Sequence, residues 1–185
     1  MKIRKTKESQ HHVKSNKHKN KIIAIAITSA IIASMAIISY KLDNTTTGNV
    51  QDIDSVGCDS MEYSVFHIHT HIDIFVNGQP IIVPALIGIK DNTCLYWLHT
   101  HKADGIIHIE APKSRDFSLG EFIDIWKSTS TGLPPTNENP VIYVNGQAVT
   151  TGLKDTMLHA HDEIVLAYGN PPSNIPQFYQ FPEGL

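Results

Sequence analysis

The sequence has no glycine-rich phosphate loop, no nucleophile elbow and no HExxH motif. Nucleotide-binding, serine-hydrolase and zincin chemistry therefore have no support. Basic residues are scarce where a nucleic-acid surface would need them. Lys2, Arg4, Lys5, Lys7, Lys14, Lys17, Lys19 and Lys21 take eight of the fifteen bases, which leaves seven against seventeen acids after residue 40, a formal charge of −10. Such a surface disfavours nucleic acid and suits cations. At 185 residues there is room for one modest domain and a targeting segment, and two domains of ordinary size do not fit. Cysteine is limited to Cys58 and Cys94. In an oxidising compartment an even pair reads first as a disulfide.

Charge and proline are both missing from Ile22 to Ser39, IIAIAITSAIIASMAIIS. About 18 to 20 such residues cross a hydrocarbon core as a helix. The lysines before this run and their near absence just after it place the N-terminus in the cytoplasm and the remainder outside, by the positive-inside rule. A cleaved signal peptide is the alternative, but the basic region is long and the apolar run exceeds the usual 7 to 15 or so residues of such peptides. The expected organisation is a basic cytoplasmic tail over 1–21, a single-pass membrane anchor over 22–39, a polar linker over 40–62 and an extracellular domain over 63–185. His11, His12 and His18 fall in the tail and read as solvated residues.

From Tyr63 the pattern is strict alternation. Phe66, Ile68, Ile72, Ile74 and Val76 share one parity, and His67, His69, His71 and Asp73 share the other, which describes a strand with one buried face. Asn77-Gly78 is a favoured two-residue hairpin turn, so IIVPALIGI is expected to return as the partner strand, with Pro84 at an edge or bulge. CLYWLHTH and IIHIEA, joined by KADG, form a second expected hairpin with Tyr96, Leu98, Ile107 and Ile109 toward the core. Leu119, Phe122, Ile123 and Trp126 recur at helical spacing behind Ser118, and Glu121 completes a capping box. Beyond the proline-framed loop at Pro134, Pro135 and Pro140, a third hairpin turns at Asn145-Gly146 and DEIVLAYG is a last strand. The fold class is α+β, mostly hairpins with one short helix, in an order like the ubiquitin-like β-grasp.

Eight of the eleven histidines lie between residues 67 and 161, as His67, His69 and His71, His99 and His101, His108 beside Glu110, and His159 and His161. Spacing by two on a strand sends side chains to one face, so each group is a prearranged donor set. The KADG turn centres on Ala103-Asp104, setting His99 opposite His108, or on Asp104-Gly105, setting His101 opposite His108 and His99 opposite Glu110. Directly opposed Cβ atoms lie about 4.5–5.5 Å apart, which lets two imidazoles close on one ion in either register. Imidazole nitrogen suits copper or zinc, and three of them with an open position describe many catalytic sites. The candidate ligands are His67, His69, His71, His99, His101, His108 and Glu110. Asp73 is a further carboxylate for the ligand shell or behind it, and Met157 a thioether that would favour copper(I). For His159 and His161, beside a turn, ordinary solvated histidines are an equal reading.

The motifs HIHTHIDIFVNG, LHTHKADGIIHIEAP and FSLGEFIDIW and the ending IPQFYQFPEGL resemble a group of uncharacterised exported or membrane-anchored histidine-rich proteins of archaea and bacteria. The resemblance spans His67 to Leu185 and implies export; it implies no activity. The expected function is a membrane-anchored metal-binding protein that buffers or delivers copper or zinc, with no protein partner indicated. The alternative is a metalloenzyme using three histidines in a hydratase, hydrolase or oxidoreductase. A blue-copper site on Cys94 and His99 lacks its downstream methionine, and a cupin site at His69 and His71 lacks its glutamate.

Overall fold

In a computed structural model of the chain, the described residues are 51–90, 93–134 and 138–185, with Lys21, Ile22, Ile25, Ile27, Ile31, Ile32, Ser34 and Met35 from the N-terminal part. Those eight are helical. Among the described residues no helix is long and apolar enough to cross a membrane. The basic tail up to residue 20, most of the expected anchor and the first half of the expected linker lie outside the described residues. The chain divides into two units, Met1–Asn49 and Val50–Leu185, and the second carries the fold.

Alternation makes Phe66–Val76 the longest strand, β2, after the short β1, Cys58–Asp59. Asn77 and Gly78 both take positive φ, 48° and 80°, and turn the chain into β3, Gln79–Ile81. The return strand stops there, short of the expected run to Ile89. The reason is competition for one edge of β2: Ile72 N donates to Gly105 O, and β7, Ile106–Ala111, pairs with Phe66 to His71. Past Ile81 the chain leaves the sheet, and Thr100 receives it. The Thr100 hydroxyl accepts from Ile87 N and donates to Pro84 O.

The expected strand from Cys94 to His101 also divides. β4, Ile89–Lys90, and β5, Cys94–Tyr96, form a small sheet with β1, while β6, Leu98–His99, pairs with β7 in the main sheet. Trp97 is the corner. Its N donates to Gly57 O, its carbonyl accepts from Glu110 N, and its indole donates to Asp59. Cys58 and Cys94 are disulfide-bonded across this small sheet. Val56 is fully buried and Ile53 packs half-buried against the core, so the folded unit starts well before the expected boundary at 63.

The helix forms as the spacing predicts. α1, Leu119–Thr129, starts at Ser118, whose hydroxyl accepts from Glu121 N at 3.3 Å while Ser118 N donates to the Glu121 carboxylate at 2.7 Å. Leu119, Phe122, Ile125 and Trp126 are buried with Ile72, Ile74, Leu98, Ile107, Ile109, Ile164 and Leu166 in one core. Ser118→Ala is expected to cost about 1 kcal/mol, as N-cap removals do, measured as a shift in the urea midpoint at unchanged slope.

The last hairpin is β8, Val141–Val144, and β9, Gln147–Val149, and the last strand is β10, Glu163–Tyr168. The main sheet runs β6-β7-β2-β10-β8-β9, with β3 on the free part of β2 and with β2 and β10 parallel at its centre. The result is the expected α+β class: mostly sheet with one short helix. The apolar face lies in the core with α1, and the opposite face carries the histidines.

Candidate metal centre

Three strands position the cluster. β7 lies between β2 and β6, with His108 opposite His69 on one side and His99 on the other, and with Glu110 opposite His67. Of the two registers open from sequence, the structure takes the one that pairs His99 with His108. Threonines between the paired histidines fix the backbone there. Buried Thr70 donates to Asp162 O between His69 and His71, and buried Thr100 clamps the loop at Pro84 and Ile87 between His99 and His101.

The donor atoms fall into two overlapping groups. His67, His69, His108 and Glu110 form one, and His99, His101, His108 and Glu110 the other, with all four ligand atoms of each within 4.8 Å of one another. In the first group His67 Nε2 is 3.0 Å from His69 Nε2, which is 3.2 Å from His108 Nδ1. Glu110 Oε1 closes the circuit at 3.1 Å from His67 Nε2 and 3.5 Å from His108 Nδ1. A tetrahedral ion with bonds of 2.0–2.1 Å has its ligand atoms about 3.3–3.4 Å apart, so these separations match a coordination shell. They do not suit hydrogen bonding alone, because His69 Nε2 carries either one proton or one lone pair and faces two nitrogens at once.

In the second group His99 Nε2 is 3.1 Å from His101 Nε2. His99 Nδ1 lies 2.8 Å from Tyr96 O, so Nδ1 carries the proton and Nε2 presents its lone pair, the tautomer a metal needs. His101 Nε2 is also 3.3 Å from Glu62 Oε1, a carboxylate the sequence did not single out.

Burial keeps His69, His99 and His101 neutral. Burial, reinforced by the neighbouring His108 and His67, lowers the His69 pKa to about 4. Burial likewise lowers His99 to about 4 against the opposing pull of the Tyr96 carbonyl and Glu110, and it lowers His101. For Glu110 burial alone would raise the pKa, but the hydrogen bond to His108 and the Coulombic pull of the His99 and His67 rings hold the carboxyl below its usual range. Glu110 is 3% exposed, and its Oε2 has no hydrogen-bond partner among the described residues. A buried, ionised oxygen without a partner is costly unless a cation or donor meets it.

His71 goes elsewhere despite sharing the parity of His67 and His69. Its neighbour on the other side of β2 is Glu163 of β10. Nδ1 is 2.7 Å from Glu163 Oε2 and Nε2 is 2.9 Å from Asp104 O. Both ring nitrogens face acceptors, which favours the imidazolium. Burial works against that charge, but Glu163 outweighs it and the His71 pKa is raised. Burial also raises Glu163, helped by Asp73 and opposed by His71. His71, Asp73 and Glu163 are a third group with metal-ligand spacing, covered by the Tyr179 ring, stacked at 3.7 Å on His71. Glu163 was missed from sequence because it stands alone in an apolar strand.

Met157 bridges to Ser118 at the start of α1 and lines a shallow hollow with Arg115, Asp116 and Lys154, among no histidines. His159 is exposed beside Asp162, and His161 stacks on Phe181. Three imidazoles and a carboxylate can fill a tetrahedral shell around a divalent transition ion. The chain matches no protein-family model, no curated protein and no solved structure.

Proposed function

We propose that the protein is a membrane-anchored, extracytoplasmic binder of copper or zinc that buffers or hands over the ion at the outer face of the cell membrane. The observation that carries this reading is the closed circuit of His67, His69, His108 and Glu110, whose spacing fits a coordination shell and whose ring nitrogens cannot all be satisfied by hydrogen bonds among themselves. The side chains of His67 and His101 are 40% and 36% exposed, so an ion has a route in and out. That favours exchange over a sealed structural site. The Cys58–Cys94 disulfide supports an oxidising compartment. The exposed, helical Ile22, Ile25, Ile27, Ile31 and Ile32 suit a lipid-facing anchor. The parallel β2–β10 pair, with hairpins outside it, supports a β-grasp-like topology.

The test is elemental analysis of the full chain, purified in detergent without a histidine tag and with His11, His12 and His18 replaced by Ala. Copper or zinc in stoichiometric amount is expected to survive gel filtration and to fall by at least tenfold in His69→Ala/His108→Ala. No metal retained, and none taken up on titration, sinks the reading. A metalloenzyme with three histidines and an open position is the second reading, favoured by the burial of His69 and His99. Release to a chelator within seconds points to delivery; retention for hours points to the enzyme.

A further inference from the structure

One ion does not use the cluster. His108 is the middle of a row three strands wide, flanked by His69 of β2 and His99 of β6. The β2 pair and the β6 pair each gather with His108 and Glu110. That gives six side chains where one copper or zinc takes about four ligands. An ion on the β2 pair leaves His99 Nε2 and His101 Nε2 joined by a 3.1 Å hydrogen bond that a second ion can replace, and an ion on the β6 pair leaves His67 and His69 so at 3.0 Å.

We propose that the cluster holds two divalent transition ions side by side, one on His67 and His69 and one on His99 and His101, with His108 completing the set and the Glu110 carboxylate bridging the two. The inference rests on the metal-binding reading above and extends it to a two-ion centre. Glu110 is built for the bridge. Oε1 lies against His67 and His108 of the first group, and Oε2 is buried without a partner and remains for the second ion. Carboxylate-bridged pairs stand about 3.5–4 Å apart. Glu62, 3.3 Å from His101 Nε2, supplies a second carboxylate to balance the added charge, and His99 is already held in the ligating tautomer by Tyr96 O.

The experiment is zinc titration of the full chain in detergent, in the background lacking His11, His12 and His18, with bound zinc counted after gel filtration. Two equivalents are expected in the parent. One is expected to remain in His67→Ala/His69→Ala and one in His99→Ala/His101→Ala. A single equivalent in the parent overturns the pair and leaves the metal-binding reading standing; no zinc overturns both. Loss of one equivalent in Glu163→Gln overturns the pair as well, since the second ion would then sit with His71. A measurement without cluster variants guards against misfolding: copper(II) loaded into the parent is expected to show the half-field transition of a coupled pair in electron paramagnetic resonance. Two equivalents with the spectrum of isolated ions overturn the bridge.

Discussion

Taken from pH 7 to pH 4 without metal, the protein is expected to lose several kcal/mol of folding stability, seen as a melting temperature that falls steadily over that range. His69 and His99 have pKa values lowered to about 4 by burial, whereas an unfolded histidine titrates near 6.5 or so. Between these values the unfolded chain binds more protons than the folded one, so stability rises with pH there. It is complete above the unfolded pKa and is lost as the pH falls toward the folded one. At about 1.4 kcal/mol per unit, His99 alone contributes about 3 kcal/mol. Glu110, its carboxyl held low by His108 and its histidine neighbours, adds a loss at the acid end. His71 and Glu163, both raised, act in the opposite sense and offset part of the fall. Replacing His99 by Gln is expected to flatten the profile. A melting temperature that stays level from pH 7 to 4.5 contradicts the neutral, buried imidazoles on which the site depends.

Cys58→Ser/Cys94→Ser is expected to cost about 4 kcal/mol, the chain-entropy value for a loop of this size. The bond spans a sequence separation of 36. It closes a sheet whose strands β1, β5 and β4 have only 2, 3 and 2 residues, too few to hold together unaided. The loss should fall first on the segment from Gln51 to Asp59, where Val56 is buried and Tyr96 Oη donates to Gln51 O. Urea unfolding measures the total, and hydrogen exchange shows whether that segment opens first. A cost below about 1 kcal/mol, with exchange unchanged there, means the small sheet holds by packing alone.

Faces were easier to read from the sequence than neighbours. Alternation in Phe66 to Val76 assigns every side chain to the core or the histidine face, and the helix announces itself through Ser118, Glu121 and its apolar spacing. Both depend on residues within one or two turns of each other. What lies beside β2 does not. Parity makes His67, His69 and His71 equivalent, but β7 ends its pairing at Ile106 opposite His71, where Glu163 of β10 stands on the other side. Two of the three therefore join the cluster and the third becomes a partner of Glu163. The same blindness hid the match of His69 with His108, since the Asn77-Gly78 turn directs attention to β3. Trp97 falls inside the strand expected from Cys94 to His101; only the backbone shows it turning the chain from one sheet to another.

The parallel pairing at the centre of the sheet has a consequence for the order of events during synthesis. β10 begins at Glu163, near the end of the chain, and joins β2 to β8. The two halves of the main sheet cannot be united until β10 has been made, and pairings so remote in sequence form slowly. All six cluster side chains are complete by residue 110. The newly made chain thus carries its donors before it has the strand that closes the sheet, and a captured ion would pin β2, β6 and β7 together while the rest is still to come.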